Sequence, residues 1–103
     1  MYNYEEKYYN KRERTVVPVS VNKYQMFLKT VECGSFSKAA AEMSFTQSAV
    51  SHAVQALENE LNITLLSRNR GGVVLTADGR ALLPRIEKLC AAHHELMQSA
   101  AEL

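Results

Sequence analysis

The chain has 103 residues, enough for one small domain with a modest core. Twelve Lys and Arg stand against eleven Asp and Glu, a formal net charge of +1. Bulk charge therefore does not point to nucleic acid, and any such role has to rest on local placement. Two cysteines, Cys33 and Cys90, exclude a disulfide framework and fit thiols in a reducing compartment.

No apolar run approaches the roughly 20 residues of a membrane-spanning helix. The N-terminus MYNYEEKYYNKRER has no apolar core and does not read as a signal peptide. A soluble, cytoplasmic protein with no membrane association is expected.

Residues 1–20 are polar, Tyr-rich and mixed in charge, and they read as a flexible or loosely docked tail. Lys11, Arg12 and Arg14 offer a basic arm for phosphate or minor groove. Glu5, Glu6 and Glu13 nearly cancel that charge, which favours an inert extension.

Tyr24, Phe27, Leu28 and Val31 recur at helical spacing, predicting a helix over 22–33 with Asn22 as its cap and Gly34 as its stop. Ser35 is expected to cap a second helix whose inner face is Phe36, Ala39, Ala40 and Met43. Ser44-Phe45-Thr46 forms a turn, and the Thr46 hydroxyl caps a third helix. That helix buries Val50, Ala53, Val54, Leu57 and Leu61. Its other face begins with Gln47, Ser48, Ser51, His52 and Gln55.

Leu65-Leu66-Ser67-Arg68 and Val73-Val74-Leu75 are strand candidates separated by the turn-rich Asn69-Arg70-Gly71-Gly72. Two short strands after two such helices make a wing. Thr76 caps a last helix running from about Ala77 to the chain end, with Asp78 near its positive end and Pro84 a possible kink. The organisation is a tail over 1–20, a winged helix-turn-helix over 21–76 and a linker helix over 77–103. The fold class is mainly α, three helices and a hairpin wing followed by that linker helix.

If Phe36 opens a helix-turn-helix unit, Ala40 is fifth, Ser44 ninth and Val50 fifteenth. A small residue where helices cross, a turn residue and a packing residue are what those positions require. A plain helical hairpin meets the same pattern. What separates the two is the cluster of Gln47, Ser48, Ser51 and His52 at the end that would enter a major groove. Gln can bond adenine bidentately, Ser can bond base edges or phosphate, and His52 can reach phosphate or a guanine acceptor. Gln47 and Ser51 are accordingly expected to read bases, and Gln55 and Thr46 are counted with Gln47, Ser48, Ser51 and His52 as expected DNA contacts. Arg68 and Arg70 flank the wing turn and suit phosphate or minor groove, and Lys38 is a weaker phosphate candidate.

Leu82, Ile86, Leu89, His93, Leu96, Ala100 and Leu103 are spaced 4, 3, 4, 3, 4, 3, a heptad seam. Leu83, Cys90 and Met97 flank it. A helix this apolar is expected to pair with its copy in a second chain, the other reading being that it packs on its own domain. His93 within the seam reads first as a side chain that snorkels or bonds a backbone carbonyl, a pH-sensitive contact being the lesser reading.

Cys90 and His94 lie one turn apart, but two ligands do not complete a metal site, so no metal or other cofactor is expected. Ser51 and His52 are neighbours in sequence and diverge by about 100° on a helix, so they cannot act as nucleophile and base. No enzymatic activity is expected.

The run FLKTVECGSFSKAAAEM, the segment TQSAVSHAVQALENELNITLL, Arg68 and LTADG together resemble the DNA-binding end of a LysR-type transcriptional regulator. The resemblance covers about residues 22–103. It implies a winged helix-turn-helix whose residues matching Gln47, Ser48, Ser51 and His52 face the major groove. It also implies a wing arginine, Arg68, on backbone or minor groove, and a linker helix paired antiparallel with a partner's.

The resemblance further implies a nucleoid-associated regulator that binds an interrupted inverted repeat on double-stranded DNA as a homodimer. Tetramers and a small-molecule inducer would belong to a C-terminal effector domain beyond the present sequence. The chain is thus expected to be part of a longer regulator, with a naturally short protein as the alternative. The family commonly has Pro at Ser48, Arg at His52 and Ala at Asp78, so reach and charge differ here. A winged helix used for protein–protein docking is the rival function.

Overall fold

The computed structural model describes residues 9–10, 15–16 and 21–103. Two short strands, β1 (Tyr9–Asn10) and β2 (Thr15–Val16), pair antiparallel. The rest of the expected tail, including the candidate arm Lys11, Arg12 and Arg14, lies outside the described residues. Four helices and a second hairpin follow: α1 (Val21–Cys33), α2 (Phe36–Met43), α3 (Gln47–Leu61), β3 (Leu66–Asn69), β4 (Gly72–Leu75) and α4 (Ala77–Ala101).

Helix α1 starts at Val21, so Asn22 lies inside it and is not its cap. The other caps fall where hydroxyls were placed. Ser35 accepts from the Lys38 N–H, Thr46 from Ala49 and Thr76 from Gly79. Each hydroxyl satisfies one of the donors a helix start leaves unpaired.

Helices α1, α2 and α3 enclose a core of Phe27, Phe36, Ala39, Ala40, Val50, Val54 and Leu57. Ala39 is fully buried and Ala40 nearly so, the small surface that lets α3 cross closely. Thr30 is buried in the same core and offsets its polarity by donating to the Met26 carbonyl at 2.8 Å. The turn between α2 and α3 is made by Ser44 in the left-handed region, φ 60°, whose N–H bonds the Ala41 carbonyl.

At the edge of the bundle, Tyr24 donates to Glu60 at 2.9 Å and Lys23 pairs with the same carboxylate at 2.6 Å. Partial burial and then that carboxylate raise the Tyr24 phenol, while Lys23 and Tyr24 hold Glu60 below the usual carboxylate range. On α1 and α2, Lys29 bridges Glu32 and Glu42, and the Cys33 thiol donates to Glu42. That hydrogen bond pushes the thiol's pKa up. Among the described residues both cysteines are free thiols.

The wing pairs Leu66 with Leu75, Ser67 with Val74, Arg68 with Val73 and Asn69 with Gly72. Gly72 therefore belongs to the strand, and Arg70-Gly71 alone make the turn, with Asn69 Oδ1 accepting from the Gly71 N–H at 2.9 Å. Leu65 precedes the strand and is fully buried. Two contacts fix the wing to the helical body. The Val73 N–H donates to the Gly34 carbonyl at 3.0 Å, and a Cβ on Gly72 would meet that same oxygen. At the other end, Glu58 on α3 accepts from the N–H groups of Leu65 at 2.6 Å and Leu66 at 3.1 Å.

Helix α4 runs unbroken through Pro84. Its expected seam divides. Ile86 is buried, and Leu82, Leu83 and Cys90 are partly buried against the domain's own core. Leu89 and Leu96 are exposed, with Met97 beside them. Leu103 lies just past the end of the helix. Burial raises the Cys90 thiol. No helix among the described residues is long and apolar enough to cross a membrane.

Candidate nucleic-acid interface

Helix α3 turns one face to the core through Val50, Val54 and Leu57. The helical period then sends Gln47, Ser48, His52 and Gln55 outward, and all four are exposed. Ser51 sits at the margin and is half-buried. Gln47, Ser48, Ser51 and His52 border one shallow recess at the N-terminal end of the helix.

The wing borders the same surface. Gln47 also lines a second recess together with Arg68, Arg70 and the start of α2 at Ser35 and Phe36. A third recess lies between α3 and β3, lined by Ser51, Gln55, Glu58 and Arg68. Arg70 stands exposed in the two-residue turn.

Arg68 is exposed yet placed. Its Nη2 donates to Ser51 Oγ at 3.3 Å, and its guanidinium carbon lies 4.6 Å from the centre of the Phe36 ring. That distance is within the range of a cation–π contact.

Seven of the nine residues expected to contact DNA thus share a continuous surface: Gln47, Ser48, Ser51, His52, Gln55, Arg68 and Arg70. Two stand apart from these recesses. Lys38 is exposed in the first turn of α2, and Thr46 uses its hydroxyl to cap α3 at 3.1 Å from the Ala49 nitrogen. Asp78 is exposed in the first turn of α4.

Two residues of this region carry no interface role in the sequence reading. Phe36 was placed only as a core residue and proves also to be the shelf under Arg68. Glu58 stands in the segment TQSAVSHAVQALENELNITLL without a role of its own, yet its carboxylate fixes where the wing begins. No group of three or more metal-ligating side chains gathers among the described residues.

A three-helix core with a hairpin wing, and an exposed polar face on the second helix of the motif, define a winged helix-turn-helix DNA-binding domain. Residues 21–80 match the family described as bacterial regulatory helix-turn-helix protein, lysR family. The chain belongs to that family.

Among curated relatives, a Bacillus subtilis HTH-type transcriptional regulator, YvbU, is 37% identical over 84 residues, which is 81% of this chain and 29% of that protein. The Bacillus cereus regulator CzcR is 39% identical over 74 residues, 72% of this chain and 26% of its own length. The chain thus spans under a third of the relatives it matches.

Among solved structures, oxidized OxyR of Corynebacterium glutamicum superposes with a TM-score of 0.74 at 30% identity, covering 78% of this chain and 24% of that one. The BenM DNA-binding domain in complex with catB site 1 DNA superposes with a TM-score of 0.73 at 29% identity, covering 80% and 92%. The family is one of transcriptional regulators, in line with the expectation of a DNA-binding protein that is not an enzyme.

Proposed function

We propose that this chain binds double-stranded DNA site-specifically as a dimer, with α3 in a major groove and the wing on the adjacent backbone. The supporting observation is that the uncharged polar face of α3 and the wing arginines border one another, Gln47 lining the recesses on both sides. Gln47, Ser48, His52 and Gln55 face the base edges. Arg68 and Arg70 neutralise phosphate, and Lys38 adds a flanking contact.

Exposed Leu89, Leu96 and Met97 on the distal half of α4 supply an apolar surface for a second copy. Two-fold symmetry in the protein then asks for an interrupted inverted repeat in the DNA. Tetramer formation and inducer binding are assigned to a longer form of the protein.

Fluorescence anisotropy tests this, using DNA from upstream of the chain's own gene, a scrambled duplex of equal length and two salt concentrations. Tighter binding to the upstream duplex that weakens steeply with salt supports the reading, because phosphate contacts release counterions. Gln47→Ala should lose affinity on the upstream duplex and little on the scrambled one. Absence of binding at both salts would count against DNA and in favour of protein docking.

A further inference from the structure

Ser51 sits on the DNA-facing helix, but its environment differs from that of its neighbours. Gln47, Ser48, His52 and Gln55 are exposed, whereas Ser51 is half-buried. Its oxygen already accepts a hydrogen bond from Arg68, 17 residues further along the chain. The Phe36 ring supports the same guanidinium from another side.

The character of these partners matters. A hydroxyl and an aromatic face are both neutral. Lys23 and Lys29 pair with carboxylates, but Arg68 makes no ion pair among the described residues. Glu58 lines the same recess, yet one of its carboxylate oxygens, Oε2, accepts from both the Leu65 and the Leu66 N–H. Arg68 is therefore oriented by neutral partners with no carboxylate at ion-pair distance among the described residues, and its remaining N–H donors stay available to an anion. An arginine ordered in advance gives up less side-chain freedom when DNA arrives.

We infer that Ser51, together with the Phe36 ring, is a positioning residue that presets Arg68 for a DNA phosphate, and is not itself a reader of bases. The inference rests on the DNA-binding reading above and replaces the base contact that the sequence suggested for Ser51.

The experiment is a double-mutant cycle in the full chain, with Ser51→Ala, Arg68→Gln and the pair. Each protein is titrated by anisotropy against the upstream duplex and the scrambled duplex. Ser51→Ala should weaken binding to both duplexes alike, by roughly three- to tenfold, the worth of one hydrogen bond. It should add nothing once Arg68 is Gln. Ser51→Thr keeps the hydroxyl and should restore most of the affinity. Circular dichroism melting confirms that each variant is folded.

Loss confined to the upstream duplex, or a Ser51→Ala effect undiminished in the Arg68→Gln background, overturns the inference. Failure of the unmutated chain to bind either duplex is a different outcome: it overturns the DNA reading and the inference with it.

Discussion

Replacing Gly79 with Ala tests how the linker helix is seated. Gly79 is buried in the first turn of α4, and an added Cβ would lie 2.2 Å from the Leu65 carbonyl oxygen and 3.0 Å from Leu75 Cδ2. Leu75 is a side chain that can swing away, but Leu65 is backbone. A carbon and a carbonyl oxygen need about 3.3 Å, so helix and strand must separate by roughly 1 Å.

That movement strains the bond from the Thr76 N–H to the Leu65 carbonyl, now 2.9 Å, and the packing of Ile86. Overpacking costs about 1–3 kcal/mol and the hydrogen bond adds about 1. Ala is the better helix former by about 1 kcal/mol. The net expectation is a destabilisation of about 1–3 kcal/mol.

Urea unfolding followed by circular dichroism measures this at one fixed protein concentration, because the proposed pairing of two copies would make stability depend on it. Gly71→Ala is the control: its Cβ would meet Asn69 Oδ1 at 3.6 Å, an ordinary contact. A Gly79→Ala midpoint equal to or above that of the unmodified chain would refute the reasoning.

Three further outcomes follow from contacts described above. Ser44 holds φ 60° without a Gly, so Ser44→Gly should raise stability by about 0.5–1 kcal/mol, read as a higher melting temperature. Glu58→Ala strands the Leu65 and Leu66 N–H groups and should cost about 1–3 kcal/mol, with faster amide hydrogen exchange at the start of the wing. Glu60 is held below its ordinary value near 4.5 by Lys23 and then Tyr24. Its stabilisation is present above that value and is lost as pH falls through the lower folded value. Melting between about pH 3 and 6 should therefore show a shallower acid-side decline in Glu60→Gln than in the unmodified chain.

The bundle was legible because its signals are local. Tyr24, Phe27, Leu28 and Val31 mark one helix by spacing alone, and Ser35, Thr46 and Thr76 cap through the next turn, within three residues. Asn22 misled because a good capping side chain does not oblige a helix to start there.

The wing arginines were legible as surface charge, but the contact of Arg68 with Ser51 and Phe36 was not. It joins residues 17 and 32 positions apart, and no periodicity encodes it. Glu58 was missed for the same reason: its partners lie seven and eight residues on, where the chain turns back. The seam on α4 shows a different limit. A heptad states that Leu82 and Ile86 face something apolar, and it reads the same whether that surface is the domain's own core or a second chain.

The bond between Val73 and Gly34, and the lack of room for any side chain on Gly72, make the hairpin a fixed jaw. Its tip and helix α3 stand at a set span, like the arms of a caliper closed to one gauge. On the docking proposed above, a duplex whose groove and flanking strand differ from that gauge would have to bend or twist to be gripped. The work of bending depends on base sequence even where no side chain touches a base. Selectivity would then come partly from stiffness in the protein, and exchanging the exposed residues of α3 would change the letters read without changing the shape demanded.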